Sequence, residues 1–270
     1  MLVSALLLGL VAHVSVVGNL QHSRSQVLLY QELRTELALA TTPLGQLDVN
    51  GDLVPNGTPI AHLAIKKLGI DEVVVQGTRS EDLIAAPGHR RDTVFPGQEG
   101  TSVIMGRQAT FGGPFGGLGA IVPGDTIEVV TGQGTSKYEV IGIRHDGELL
   151  PERLSKGEGR LELITADGTA LAPSGALHVY ASLKGHAHEK PAPVFTSAVL
   201  DPSEDAMAAD STGWFPTLFW LQWLIAAAIA LRWVRGRWGV WQTWMIAIPI
   251  LLGLGAFTAN AAMTNLPNLL

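Results

Sequence analysis

Two long apolar runs near the end of the chain, residues 215–231 and 241–263, constrain this sequence more than any other feature. Each has the length that crosses the hydrocarbon core of a bilayer, about 17–25 residues for a helix. Between them lies Arg-Trp-Val-Arg-Gly-Arg-Trp, carrying Arg232, Arg235 and Arg237, and all seven Trp residues fall between Trp214 and Trp244. Indole rings favour the headgroup layer and short basic loops stay on the cytoplasmic side. A helical hairpin buried in a soluble core is the bland alternative. Three arginines between the runs favour membrane helices at 214–232 and 240–263 with a cytoplasmic Arg232–Arg237 loop.

A third apolar stretch, residues 2–18, is broken only by Ser4, His13 and Ser15. It lacks the basic n-region and the small-x-small cleavage site of a secretory signal, so a transmembrane anchor at 1–18 is expected. Parity then places residues 19–213 on the extracytoplasmic side of a multi-pass protein. Arg24 and Arg34 pull the other way, and the stronger basic loop decides the topology.

Between these segments the composition is ordinary. The chain has no cysteine, which excludes disulfides, a thiolate nucleophile and Cys-ligated metals. Net charge is −6, and no basic cluster marks the middle, so nucleic acid is excluded as a partner. No cofactor motif appears. Phe111–Ala120 is Gly-rich but lacks the Lys-Ser/Thr of a phosphate loop. Asp48, Asn50 and Asp52 lack the acidic residue that would close a calcium loop and read as a turn. His186 and His188 form a lone His-x-His in a polar segment and read as solvated rather than metal-binding.

Residues 19–40 read as a helix, with Leu29, Leu33 and Leu37 recurring every fourth position and a stop at Thr41-Thr42-Pro43. The pattern predicts a juxtamembrane stalk over 19–45 that packs on the central domain. From 57 to 184 the period becomes that of strands, at 60–65, 72–75, 102–105, 126–130, 137–143, 160–165 and 177–183. In the last, Leu177, Val179, Ala181 and Leu183 share one face and His178, Tyr180 and Ser182 the other. Short strands punctuated by Gly, Pro and Asp predict an all-β sandwich or barrel. Residues 185–213, rich in Ala, Pro, Ser and Asp, read as a flexible linker.

Four stretches carry a resemblance: GTPIAHLAIKKLGIDEVVVQGT at 57–78, APGHRRDTVFPGQEGTSVIMGRQATFGGPFGGL at 86–118, PGDTIEVVTGQGTSKYEV at 123–140 and LELITADG at 161–168. In order and spacing they resemble sortases of the actinobacterial, class E-like kind. The resemblance implies a closed β-barrel of about eight strands. It also implies an extracytoplasmic transpeptidase ancestry, in which a sorting signal is cleaved and joined to a cell-surface amine. Sortase chemistry uses a Cys nucleophile, a His that protonates the leaving amine and an Arg that stabilises the oxyanion. The family's Gly-His-Arg appears here as Gly106-Arg107-Gln108, so Arg107 stands at the His position. Its Thr-Cys appears as Thr165-Ala166, so Ala166 stands at the Cys position. The Arg position falls at about Ala176.

An alanine has no atom that attacks a carbonyl, and a guanidinium does not shuttle protons. The expectation is a degenerate sortase whose catalytic positions Arg107, Ala166 and Ala176 are vestigial. His89, Arg107, Gln108 and Thr165 are candidate cleft-binding residues. Three functions compete. The first is an inert binding or assembly module at the cell envelope, with the membrane and a secreted peptide or cell-wall component as partners. The second is displaced hydrolase chemistry pairing Thr165, Ser174 or Ser182 with His89. The third is a structural subunit of a larger membrane complex, to which Gly255 and Ala259, a small-xxx-small pair, lend a contact face.

Overall fold

The computed structural model of the chain describes residues 16–169, 172–209, 214–263 and 265–270. Most of the anchor expected at 1–18 lies outside the described residues. Helix α1 spans Gly18–Leu39. Eight strands come after it: β1 Pro59–Ile65, β2 Ile70–Gln76, β3 Gly88–His89, β4 Gly100–Met105, β5 Thr126–Thr131, β6 Gly134–His145, β7 Gly159–Thr169 and β8 Ala172–Lys184. A one-turn helix, α2 at Asp82–Ala85, precedes β3. The strands close into a barrel in the order β1-β2-β3-β4-β7-β8-β6-β5. The β2–β3 and β4–β7 pairs are parallel, and the other pairs are antiparallel.

Strand alternation fills the interior with Leu63, Ile104, Ile127, Leu161, Leu163 and Val179. Phe95, Phe115 and Leu118, from the loops, pack into the same cluster. A second apolar cluster lies on the outside of the wall: Val103 and Met105 of β4, Ile164 and Ala166 of β7, and Ala176 of β8. These strands are therefore covered on both faces, which explains why 102–105 and 163–166 are apolar or small at nearly every position.

Helix α1 packs on the barrel because β2 has an unfinished edge. Only Val75 and Gln76 of β2 pair with the two-residue β3. The Val73 N–H donates to Gln26 Oε1 (2.7 Å), and Gln26 Nε2 donates back to Val73 O (3.3 Å). One side chain thus does what a neighbouring strand would do for that residue. One turn earlier on the helix, His22 Nε2 lies 3.0 Å from the Glu72 carboxylate. Leu33, buried on the same helix, continues the contact face.

The segment after β8 departs from the flexible linker that its composition suggests. His188 N–H donates to Gly97 O, and Glu99 N–H donates to His188 O. Gln46 Oε1 accepts from the Val194 and Phe195 N–H groups, while its Nε2 donates to Phe195 O and Arg91 O. The Glu204 carboxylate is fully buried on the Arg91 guanidinium. Residues 188–208 form a strap along the barrel. Beyond the strap are two antiparallel helices, α3 Trp214–Trp238 and α4 Val240–Met263. Their apolar spans have mean hydropathies of 1.6 and 1.8 and are long enough to cross a membrane. Trp220 stacks on Phe257 at 4.6 Å between them. Gly255 has no heavy atom within 4 Å of where a Cβ would stand, so this position is not used as a close helix contact inside the molecule.

Candidate functional site

Ala166 and Ala176 are directly opposite each other on β7 and β8. Both are almost fully buried, at 1% and 2% exposure. With Val103, Met105 and Ile164 they floor a groove on the outer wall, and Leu83 of α2 forms one side. The groove is filled by Leu269, which is completely buried in that cluster, with Ala206 and Met207 of the strap beside it. Where a nucleophile and an oxyanion donor would act there are two methyl groups under a leucine side chain.

The segment that brings Leu269 there is tightly held. Its backbone makes a turn in which the Leu270 N–H donates to Pro267 O. The Gln108 N–H donates to Leu269 O (2.8 Å), and the Thr110 N–H donates to Leu270 O (3.1 Å). The Asn268 N–H donates to Ala208 O (2.9 Å). The Asn268 side chain is fully buried, and its Nδ2 donates to both Thr78 O and Asp205 O at 2.9 Å.

Arg107 is fully buried in the wall behind the groove. Its Nε donates to Leu83 O (3.2 Å), its Nη1 to Thr110 Oγ1 (3.0 Å), and its Nη2 to Ser80 O and Ser80 Oγ (2.9 and 2.8 Å). The guanidinium also lies over the Phe111 ring, 5.2 Å from its centroid. Burial pushes its pKa down to about 10, so it remains a cation at neutral pH. Its link to the groove is indirect. Thr110 Oγ1 accepts from Arg107 and donates to Leu270 O, so the arginine orients the hydroxyl that grips the segment.

His89 is also fully buried. Its Nδ1 faces the Gln76 amide at 2.9 Å, its Nε2 faces Val94 O at 2.9 Å, and Phe95 packs edge-on. Burial depresses its pKa to about 4, which makes it a neutral packing residue. It makes no hydrogen bond to Thr165, Ser174 or Ser182. Thr165 neighbours Ala166 in sequence but lies on the opposite face of β7, the side of Leu161 and Leu163, and its buried hydroxyl has no partner. Ser174 helps to hold the Asp167 carboxylate below its usual range, after the larger effect of the His145 ring 2.8 Å away. The carboxylate sits between serine and imidazole, which leaves the hydroxyl without a base. Ser182 is six residues along β8 from Ala176, about 20 Å at strand rise. Gln108 Nε2 donates to Gly168 O (2.9 Å), tying the loop after β4 to the end of β7. Of the candidate residues, the structure groups Arg107, Gln108, Ala166 and Ala176 around one groove and leaves His89 and Ser182 apart from it. The sequence pattern does not single out residues 265–270. Their only signal is Asn-Leu-Pro-Asn, a set of turn formers directly after an apolar helix.

Residues 63–184 match the sortase domain family. Over 79 residues the chain is 29% identical to sortase D of Bacillus subtilis (strain 168); this stretch is 29% of the chain and spans only 38% of that relative's length. In structure it is similar to a sortase D5 transpeptidase of Clostridium perfringens (TM-score 0.48, 19% identity, 60% of this chain and 99% of that one). It is also similar to sortase E from Streptomyces avermitilis (TM-score 0.42, 24% identity, 56% and 99%). The chain thus carries a sortase domain over residues 63–184, built as a closed eight-stranded barrel and followed by two helices apolar and long enough to span a membrane.

Proposed function

We propose that this protein is a membrane-held sortase-like module, class E-like in its motifs, that binds a peptide or protein partner on the outer face of the membrane without catalysing transpeptidation. The observation that carries this reading is the facing pair Ala166 and Ala176, with the nearest guanidinium, that of Arg107, committed to Ser80, Leu83 and Thr110. Acyl transfer needs a nucleophile with a base in hydrogen-bond reach and donors at the developing oxyanion. Methyl groups supply neither. Displaced hydrolase chemistry finds no support in the geometry, since no hydroxyl named above meets an imidazole. A barrel kept closed and well packed around an inert groove favours recognition. The arginine-rich turn between α3 and α4 supports a cytoplasmic loop, which puts the barrel on the outer side.

The test is a peptide screen against the full chain in nanodiscs. Saturable binding of a subset of secreted-protein peptides, with every peptide recovered intact, is the expected result. Turnover of any peptide that is lost in Thr165→Ala or His89→Ala would overturn the reading in favour of an enzyme.

A further inference from the structure

We propose that the groove over Ala166 and Ala176 is a binding site for a turn-forming Leu-Pro-Asn-Leu segment, and that residues 265–270 occupy it in cis as a plug that a second polypeptide of the same chemistry displaces. This deepens the binding-module reading by naming the ligand, and it rests on that reading.

Recognition is built from three elements. Leu269 fills an apolar pocket made by Val103, Met105, Ile164 and the two alanines. Two backbone donors, the N–H groups of Gln108 and Thr110, take the carbonyls of Leu269 and Leu270 as a strand edge would. Selectivity sits at Asn268, where two main-chain carbonyls, Thr78 O and Asp205 O, converge on one side-chain nitrogen. Two acceptors at one point require a donor group. A carboxylate there would meet two carbonyl oxygens in a buried site with nothing to neutralise it. The other Asn268 atom, Oδ1, is buried with no hydrogen-bond partner. The cis segment is therefore an imperfect fit, and a better-satisfied ligand has something to gain by replacing it.

The plug also has a mechanical consequence. It comes directly after α4, and Asn265 Nδ2 donates to Thr217 Oγ1 on α3 (2.9 Å). Seating the plug docks the barrel onto the end of the helical hairpin. Displacing it in trans frees the barrel to move on the strap. An outer ligand and the attitude of the barrel over the membrane are coupled through one short segment.

A chain without cysteine gives a clean test. In the full chain in nanodiscs, the thiol of Ala166→Cys is titrated with a maleimide, with Ser155→Cys as the exposed reference. The expected result is strong protection in the parent background and a rate increase of about tenfold or more when Asn268→Asp is added, the loss of at least one buried hydrogen bond. A capped hexapeptide Asn-Leu-Pro-Asn-Leu-Leu restores protection saturably in that double variant, and the same peptide with Asp in fourth place does not. Amide exchange at Gln108 and Thr110 in chains without any thiol provides the second measurement. It is slow in the parent, fast in Asn268→Asp, and slow again with the peptide. Exchange or labelling as fast in the parent as at an open site overturns the plug. Failure of the peptide to reprotect an opened groove overturns the exchange in trans. Peptide mass keeps the two readings apart: cleavage by the unmodified chain would sink the inert-module reading, while reprotection would still uphold the plug.

Discussion

His89 sits in the barrel wall with its ring between Gln76, Val94 and Phe95, and burial holds its pKa near 4 against an ordinary 6.5. The consequence for stability has a definite sign. Below pH 6.5 the unfolded chain binds a proton that the folded chain refuses, so stability is full above 6.5 and is lost as pH falls toward 4. The loss approaches about 3 kcal/mol, at roughly 1.4 kcal/mol for each pH unit between the two values. His89→Gln should flatten this dependence. Guanidinium midpoints of both proteins at pH 7.5 and 4.5 would show it, and equal slopes would contradict it. Arg107 offers a second test at the same scale. Its donors satisfy four acceptors on Ser80, Leu83 and Thr110. Arg107→Met therefore leaves buried polar groups unpaired and should destabilise the fold by about 3 kcal/mol. An arginine that served only to bind a ligand in the groove would leave the midpoint unchanged.

At the scale of elements, α1 completes a sheet edge. Gln26 satisfies both backbone groups of Val73, so Gln26→Ala should cost about 1–2 kcal/mol, with hydrogen exchange rising first at Val73. Exchange at Val73 as slow as in the parent would refute this role. The helix was legible from the four-residue recurrence of Leu29, Leu33 and Leu37, and seven strands were legible from alternation. β3 was not, because two residues carry no period. Its Gly88 is explained only by a neighbour distant in sequence: a Cβ there would stand 2.0 Å from Gly77 O. The strap at 188–208 escaped for a related reason. Its contacts run from irregular backbone to Gln46, Arg91 and Gly97, and nothing about them repeats.

For the whole molecule, the hairpin, strap and plug fix which end of the helices faces the barrel. Residues 214 and 263 lie at one end and the arginine loop at the other. On intact cells, an impermeant maleimide should label Ser155→Cys freely and Gly236→Cys only after permeabilisation. The reverse pattern would invert the topology inferred from the positive-inside rule.

The sequence alone determined the chemistry that is missing and the layout of the elements. A chain without cysteine, with Ala166 and Arg107 in place of a sulfur and an imidazole, has lost the bond-making groups whatever its fold. Alternation and apolar run length report each residue's local surroundings, which is why barrel and hairpin could be read from them. Only the tertiary structure decided that Arg107 points into the wall and that Leu269 fills the groove. Their partners are 24, 160 and 190 residues distant along the chain, in the pairs Arg107–Leu83, Thr110–Leu270 and Asn268–Thr78. Contacts closed across such separations leave no periodic trace in either segment.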